Sequence, residues 1–262
     1  MRIALGIEYD GTGYNGWQRQ KTGLGVQQRL EEALSLVANE AIEVVCAGRT
    51  DTGVHASGQV VHFDTSSERS RRGWLLGVNS SLPDDISVTW AQPVSEDFHA
   101  RFSATARSYR YDILNRLERS ALYRHRAWWI YQPLDSGAMH EAAGQLLGKH
   151  DFSAFRAAGC QASSAVREIK SIAVTRNADW ITVSVTANAF LQHMVRNIAG
   201  SLVNIGLGEQ DAGWITAVLA GQDRKAGGVA APPHGLTLVS VDYPASFSIP
   251  AAASYGLRAA GC

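Results

Sequence analysis

The chain has 262 residues, of which 45% are hydrophobic and 18% charged, and 24 basic residues balance 24 acidic ones. This composition predicts a globular protein of one or two domains and excludes a disordered chain. A net charge of zero argues against a protein that simply coats nucleic acid, but a local basic surface is still compatible with RNA binding. Residues 1–9 do not resemble a signal peptide, and no segment is long enough to span a membrane. We therefore expect a soluble, cytoplasmic protein.

The predicted elements of the first half follow the order strand, helix, strand, strand, helix, strand. Apolar residues alternate over 3–9, which indicates a half-buried strand, and recur at helical spacing over 26–37. The aromatic loop of residues 14–20 is expected to pack against the protein. The predicted elements are strands 3–9, 42–47, 59–63 and 86–90, and helices 26–37 and 74–78.

The second half repeats this theme with longer elements. Its predicted elements are strands 109–114, 128–131, 169–176, 180–187 and 236–241, and helices 133–147, 190–207 and 214–220. Residues 151–155 are predicted to form a loop. We therefore expect an N-terminal α+β lobe over 1–100, a C-terminal α+β lobe over 101–244 and a flexible tail over 245–262.

Residues 46–63 place Arg, Thr, Asp, Gly and His in one short loop between two apolar runs. Asp51 thus lies on a constrained loop held by two predicted strands, where catalytic residues are often found. Arg49 precedes it by two residues, points to the same side of an extended stretch and favours the ionised carboxylate. An anionic Asp51 suits a nucleophile or an electrostatic stabiliser. For the loop alone, an Asx-turn in which Asp51 caps its own backbone is an open alternative. Three glycines allow a tight loop: Gly48, Gly53 and Gly58.

A second segment, residues 101–126, contains seven arginines, two acids, no lysine and three interleaved tyrosines. A guanidinium group binds phosphate through two hydrogen bonds and stacks on bases, which a lysine ammonium does not. A solvated charged surface is the ordinary alternative. The dominance of arginine favours RNA contact. The three cysteines, in contrast, form no C-x-x-C pair and indicate neither a zinc site nor a disulfide framework: Cys46, Cys160 and Cys262.

The loop sequence GRTDTGVHASGQVVHF at residues 48–63 strongly resembles the signature of the tRNA pseudouridine synthase A family. Residues 3–20, 97–115 and 188–207 also resemble that family, in its order and at its spacing. Several long motifs in register are far more specific than one short pattern. The resemblance implies an α+β pseudouridine synthase fold, in which two α+β lobes share a mostly antiparallel sheet with a central catalytic cleft.

The resemblance also implies a reaction, namely isomerisation of uridine to pseudouridine at tRNA positions 38, 39 and 40 in the anticodon stem-loop. The N1–C1′ bond breaks, the uracil turns and a C5–C1′ bond forms, so the reaction needs no redox change, no metal, no ATP and no cofactor. The expected partners are tRNA and, in a homodimer, a second copy of the chain. No membrane partner is expected.

Three residues match the family's functional positions. Asp51 matches the essential aspartate, whose role as nucleophile or as base at C2′ stays open. Tyr109 matches the active-site tyrosine, although Tyr111 lies on the same strand face by parity and composition does not choose between them. Arg196 matches an arginine that pairs with the catalytic aspartate, whereas a helix arginine in that position is usually solvated.

Arg49 is assigned to RNA handling, because the target uridine must leave its stack and a guanidinium group fills the gap or holds a phosphate. Leu236 resembles an apolar residue that floors the uracil pocket. The sequence departs from the family at Thr52, where Ala is commoner, and over residues 230–234. Neither departure affects an assigned residue.

Three other functions are compatible with parts of the sequence. Asp51-Thr52-Gly53 is also the aspartic-protease tripeptide, but Arg49 would ionise the carboxylates of a dyad that has to share a proton. A metal hydrolase using Asp51, His55 and His62 lacks a compact ligand set, and Arg49 would repel the cation. A non-catalytic RNA-binding module would explain the arginine-rich segment equally well, and replacement of Asp51 separates it from an enzyme.

Overall fold

The computed structural model describes residues 1–251. The helices are α1 Val26–Ala38, α2 Arg71–Asn79, α3 Ser136–Gly144, α4 Met194–Gly206 and α5 Trp214–Gly221. The strands are β1 Arg2–Tyr9, β2 Val45–Cys46, β3 His55–Asp64, β4 Ile86–Val94, β5 Ala106–Asn115, β6 Trp128–Ile130, β7 Gly148–Asp151, β8 Val166–Asn177, β9 Trp180–Ala187 and β10 Leu236–Asp242. The predicted α+β class is confirmed.

The chain forms two compact units, which are described separately. Of the described residues, unit 1 contains 1–105 and 238–251, and unit 2 contains 106–237. Most of β10 therefore belongs to unit 1. The division into lobes 1–100 and 101–244 with a tail remains a prediction, and residues 252–262 of that tail lie outside the described residues.

In unit 1, β1 lies between β3 and β4 and is antiparallel to both. The short β2 pairs antiparallel with β3, and β10 lies on the other side of β3 from β1. The prediction that β1 is half-buried is wrong, because Ala4 and Gly6 are buried as well as the apolar residues that alternate with them. Both faces of β1 are therefore covered, and it forms the centre of the unit.

In unit 2, β9 lies between β5 and β8 and is antiparallel to both, and β7 pairs antiparallel with β8. The short β6 runs parallel to β5. Helix α3 packs against β8 and α4. Most residues of α4 are buried, so this helix forms much of the unit's core.

Several predicted boundaries are wrong. The strand expected at 42–47 is reduced to β2, although Ile42 and Val44 are buried. Strand β3 begins at His55, so the second half of the motif belongs to a strand and not to a loop. Helix α3 starts three residues later than predicted, because the Asp135 side chain accepts hydrogen bonds at its N-terminus, and Leu147 lies beyond it and is exposed. Strand β7 was not predicted.

The start of α4 is also wrong. It begins at Met194, four residues after the predicted start, because His193 has the left-handed φ of 62° and interrupts the helical backbone. No helix within residues 1–251 combines the length and apolarity needed to cross a membrane.

Candidate active site

Asp51 lies in the loop of residues 47–54 between β2 and β3 in unit 1. Its side chain is half-buried, Arg49 is exposed and the intervening Thr50 is buried. This alternation is typical of an extended stretch. The loop therefore turns Arg49 and Asp51 toward its accessible side and anchors Thr50 in the protein.

Thr50 ties the loop to the preceding aromatic segment. Its hydroxyl is 2.8 Å from the Tyr9 hydroxyl, and its carbonyl accepts a 3.0 Å hydrogen bond from the Trp17 amide. Three residues further along the loop, the Gly53 amide donates to the Tyr14 carbonyl at 3.3 Å. Tyr14 and Trp17 are both buried, so the prediction that this aromatic segment packs against the protein is confirmed.

Gly16 allows the two segments to approach this closely. Its φ is +90°, and a Cβ atom built on it would lie 2.6 Å from the Thr50 carbonyl oxygen and 3.0 Å from the Asp51 carbonyl carbon. Side chains are strained at this φ, and the space is already filled by backbone. A glycine at position 16 is therefore required for the backbone position of Asp51.

The other side of the loop is held by β3. The Ala47 amide donates to the Val60 carbonyl at 2.8 Å, and the Gln59 side-chain amide donates to the Gly48 carbonyl at 2.6 Å. Buried polar groups need such partners, and each satisfied bond fixes the backbone further. Gln59 is thus a positioning residue that was not predicted, although a polar residue beside the apolar Val-Val pair was the available signal.

Two guanidinium groups act on the thiol that precedes the loop. Burial raises the pKa of Cys46 to about 11, while the positive charges of Arg49 and Arg101 oppose that rise. Cys46 therefore remains a protonated thiol at neutral pH. Residues 100 and 101 lie near the start of the loop, because the Ala100 amide donates to Nδ1 of His62, which pairs with Val45 of β2.

The two histidines of the motif have structural partners. Nδ1 of His55 accepts a hydrogen bond from the Gly11 amide at 3.0 Å, and Nδ1 of His62 accepts one from the Ala100 amide at 3.1 Å. Burial, with Arg2 and His99 nearby, lowers the pKa of His62 to about 4. Neither Nδ1 atom points to a shared ligand site. The part of the chain that the structure describes contains no group of His, Cys, Asp and Glu residues that could hold a metal ion.

Tyr109 and Tyr111 differ in their surroundings, although they share a face of β5. Tyr111 is completely buried and donates its phenol hydrogen to the Pro232 carbonyl at 2.8 Å. Tyr109 keeps 8% of its surface exposed and contacts Phe190 edge to face, with ring centroids 5.0 Å apart. Tyr111 is therefore a core tyrosine whose hydroxyl already has a partner. Of the two, Tyr109 is the better candidate for contact with a substrate.

Arg196 lies in the first turn of α4, in unit 2, and is half-buried. Its Nε donates to the Ala231 carbonyl at 2.8 Å, and the Ala231 amide donates back to the Arg196 carbonyl at 3.0 Å. The next carbonyl, that of Pro232, accepts from the Tyr111 hydroxyl, so the two side chains bind adjacent carbonyl groups. Arg196 is thus held in place and is not an ordinary solvated helix arginine. Leu236, in the same unit, is buried.

The arginine-rich segment does not form one surface. Arg110, on β5, is 2.9 Å from the buried Asp112, and Arg116 is 3.7 Å from Asp179. Arg119 and Arg124 lie in the loop after β5 and are exposed. The arginines of this segment that are available for the predicted RNA contact are therefore the solvent-facing ones, such as Arg101 and those of the loop after β5, and not the paired positions.

Comparison with known proteins defines the class. A family model described as tRNA pseudouridine synthase matches residues 6–103 and 142–244. The chain belongs to this family of tRNA-modifying isomerases.

Three closely similar relatives carry the same name. The chain is 57% identical, over 95% of both chains, to tRNA pseudouridine synthase A of Pseudoalteromonas atlantica. It is 56% identical to tRNA pseudouridine synthase A of Nitrosococcus oceani and 54% identical to that of Colwellia psychrerythraea, in each case over 95% of this chain and 96% of the relative.

Proposed function

We propose that this chain isomerises uridine to pseudouridine at positions 38, 39 and 40 of the tRNA anticodon stem-loop, with Asp51 as the essential carboxylate. The observation that carries the proposal is the anchored loop of residues 47–54, in a chain 57% identical to a tRNA pseudouridine synthase A. Hydrogen bonds from Trp17 and Gln59 fix the backbone before Asp51, and the bond from the Gly53 amide to the Tyr14 carbonyl fixes it after Asp51. A carboxylate held in this way is suited to catalysis, because reacting groups have to be positioned within a fraction of an ångström.

The reaction conserves all atoms of the nucleotide. The N1–C1′ bond breaks, the detached uracil turns, C5 bonds to C1′, and the proton on C5 leaves while N1 gains one. Asp51 acts in one of two ways, by attacking C1′ or by removing the proton from C2′. Deuterium at C2′ distinguishes them: a primary isotope effect on single-turnover formation of pseudouridine requires C2′ deprotonation, and its absence favours attack on C1′.

The other assigned residues have supporting roles in this proposal. Tyr109 stacks on the uracil or relays a proton, which suits a ring that retains some exposure. Arg196 supplies the fixed positive charge expected beside the reacting carboxylate, and its bond to the Ala231 carbonyl supports a fixed orientation. Arg49, exposed two residues before Asp51, holds a phosphate of the extruded nucleotide or fills the gap that it leaves.

Release of tritium from tRNA labelled at uridine C5 tests the chemistry, because that C–H bond has to break. Wild-type protein without added cofactor should release tritium, and Asp51→Ala should release none while still binding tRNA in a filter assay. Asp84→Asn, which removes an exposed carboxylate far from the loop in sequence, is the matched control and should release tritium normally.

The rival function is a non-catalytic RNA-binding module. It predicts tight tRNA binding without tritium release by the wild-type protein, and unchanged function after Asp51→Ala. Tritium release that persists in Asp51→Ala would overturn the assignment of Asp51 but not the enzyme.

The proposal extends to assembly and location. A homodimer, in which one tRNA contacts both subunits, should sediment at twice the mass of the chain and bind one tRNA across two copies. A sedimentation coefficient of a monomer at micromolar concentration would contradict it. Cytoplasmic location follows from the proposed substrate and is tested by fractionation of cells.

A further inference from the structure

Phe102 is an apolar ring that the fold leaves in solvent. Its side chain is 76% exposed in the turn between β4 and β5, and Arg101 beside it is also exposed. A single exposed apolar side chain is common on protein surfaces and by itself indicates no site. An exposed aromatic ring beside a guanidinium group, however, is the combination on which nucleic-acid bases stack.

The turn that carries this ring is locked by hydrogen bonds. Nδ1 of His99 accepts from the Arg101 and Phe102 amides at 3.2 and 3.1 Å. The His99 amide donates to Oγ of Ser103 at 3.0 Å, and the Ser103 amide donates back to the His99 carbonyl at 2.9 Å. Burial and the nearby Arg2 lower the pKa of His99, which keeps Nδ1 an acceptor at neutral pH. Phe102 is therefore displayed on a fixed backbone.

The ring also ends a row of ring contacts that starts in the core, in which the His62 and His99 rings are tilted by 58°. The buried His62 ring lies 4.8 Å from the His99 ring, and the His99 ring lies 4.3 Å from the Phe102 ring at an angle of 30°. The Arg101 guanidinium carbon lies 5.6 Å from the centre of the Phe102 ring. His99 thus supports one face of the ring, and the exposed Arg101 guanidinium group lies over the ring without close stacking contact. A planar group can enter between the ring and the guanidinium group once this exposed side chain moves outward.

The exposed Arg101 and Phe102 side chains lie close to the proposed catalytic loop within unit 1. His62 pairs with Val45 of β2, the strand that leads into the loop, and its Nδ1 accepts a 3.1 Å hydrogen bond from the amide of Ala100, the residue before Arg101. Arg49 and Arg101 are both exposed. The Arg101–Phe102 pair therefore adjoins the end of the loop where Arg49 is already assigned to the RNA.

We propose that Phe102 and Arg101 form a nucleobase-stacking site, which binds an unpaired nucleotide adjacent to the target uridine. The ring stacks on the base, and the guanidinium group stacks on its other side or binds its phosphate. This inference rests on the proposed function, because it is the extruded uridine that leaves its neighbour without a stacking partner. A second protein copy is a less suitable occupant. A two-fold symmetric interface uses the same surface of both copies, so it would bring Arg49 and Arg101 of one copy close to the arginines of the other.

Binding of an anticodon stem-loop RNA with uridine at position 39 tests the site. Base–aromatic stacking is worth about 1–3 kcal/mol, so Phe102→Leu should weaken the Kd by roughly 5- to 150-fold. Phe102→Trp, which keeps an aromatic surface, should bind within about threefold of wild type, because any aromatic face accepts a base. Leu36→Ala, at a 73% exposed apolar residue on α1, is the matched control and should bind normally. Thermal unfolding of each variant checks that it folds.

A fluorescent base provides the second measurement. 2-Aminopurine placed beside the target uridine should be quenched on binding to Asp51→Ala, which removes turnover, and the quenching should be lost when Phe102→Leu is added. Unchanged affinity and unchanged quenching in Phe102→Leu would overturn the stacking site. So would a loss of affinity that appears only with a change of oligomeric mass, since the ring would then serve self-association.

The two proposals fail in different ways. A wild-type chain that makes no pseudouridine, but loses RNA affinity and quenching with Phe102→Leu, contradicts the proposed reaction and leaves the stacking site. A wild-type chain that makes pseudouridine, with Phe102→Leu unchanged in both measurements, contradicts only the stacking site.

Discussion

At the scale of single residues, the position of Asp51 depends on residues that carry no reactive group. Gly16→Ala would force a Cβ atom against the Thr50 carbonyl at a φ of +90°. The strain is about 1–3 kcal/mol, and a shift of the loop by an ångström costs roughly a hundredfold in rate. We expect Gly16→Ala to slow single-turnover pseudouridine formation by roughly 10- to 100-fold.

Gly13→Ala is the matched control, because nothing lies within 4 Å of the Cβ atom it would add. It should retain wild-type turnover. Equal rates for Gly16→Ala and wild type would show that the loop tolerates displacement. They would contradict the inference that close packing against Gly16 fixes the position of Asp51.

Individual residues also show which parts of the site could be predicted from the sequence alone. Motif and spacing predicted Asp51 and Arg49 on a loop between strands, as observed. Strand parity could not separate Tyr109 from Tyr111, because both point to one face of β5. The two tyrosines are distinguished by the hydrogen bond from the Tyr111 hydroxyl to the Pro232 carbonyl, and this partner lies 121 positions away in the chain. Phe102 was passed over because exposure of a ring depends on the fold and leaves no pattern in the sequence.

At the scale of elements, α4 positions Arg196 through its contact with the segment of residues 228–231. A Cβ atom on Gly200 would lie 1.8 Å from the Val229 carbonyl oxygen, and the Gly228 amide donates to Oγ of Ser201 at 3.0 Å. Gly200→Ala should therefore separate the helix from this segment. Overpacking of this kind costs about 1–3 kcal/mol, which corresponds to a loss of roughly 2–12 °C in Tm.

We expect Gly200→Ala to lower both Tm and turnover, measured by calorimetry and by tritium release. Gly221→Ala, at the end of α5, meets nothing within 4 Å and should change neither. If Gly200→Ala were as stable as wild type, the close contact between α4 and residues 228–231 would not exist in solution.

A buried histidine in β3 gives the fold a defined pH dependence. The pKa of His62 is lowered to about 4 from an ordinary value near 6.5, so the folded chain binds fewer protons than the unfolded chain between these values. Stability contributed by neutral His62 is therefore complete above about pH 6.5 and is lost as the pH falls toward 4. His62→Asn keeps an acceptor for the Ala100 amide and does not titrate. Denaturant unfolding should show a flatter profile for this variant between pH 7 and 4, and identical profiles would contradict it.

Helix α1 and strand β9 were predicted to within about one residue, because their apolar residues repeat with a regular period over their full length. Strand β7 was missed because Gly-Lys-His-Asp has no apolar periodicity and pairs only through its backbone with β8. The first turn predicted for α4 is absent because His193 has a left-handed backbone, which an apolar pattern does not reveal.

At the scale of the whole molecule, a chain with a net charge of zero has to bind RNA through local charge. The exposed Arg119 and Arg124, in the loop after β5, are the expected phosphate contacts. Each phosphate contact contributes about 0.7–0.9 to the slope of log Kd against log salt concentration. The double variant Arg119→Gln/Arg124→Gln should reduce that slope by roughly 1.5 and weaken tRNA binding at low salt.

The control is Arg71→Gln/Arg72→Gln, which removes two exposed arginines from the start of α2. It alters the net charge equally, so it separates a local contact from the overall charge of the molecule. Equal slopes for the two double variants would assign the salt dependence to net charge and would remove the loop after β5 from the RNA-binding surface.

The central claim is that Asp51 isomerises uridine within the anticodon stem-loop, and mapping of the product tests it most directly. Unmodified tRNA with uridine at position 39 is incubated with the purified protein without cofactor, and pseudouridine is located by carbodiimide-dependent stops in reverse transcription. We predict stops within positions 38–40 with wild type and Asp84→Asn, and none with Asp51→Ala. Stops with Asp51→Ala, or tight tRNA binding without any stops by the wild-type protein, would contradict the account.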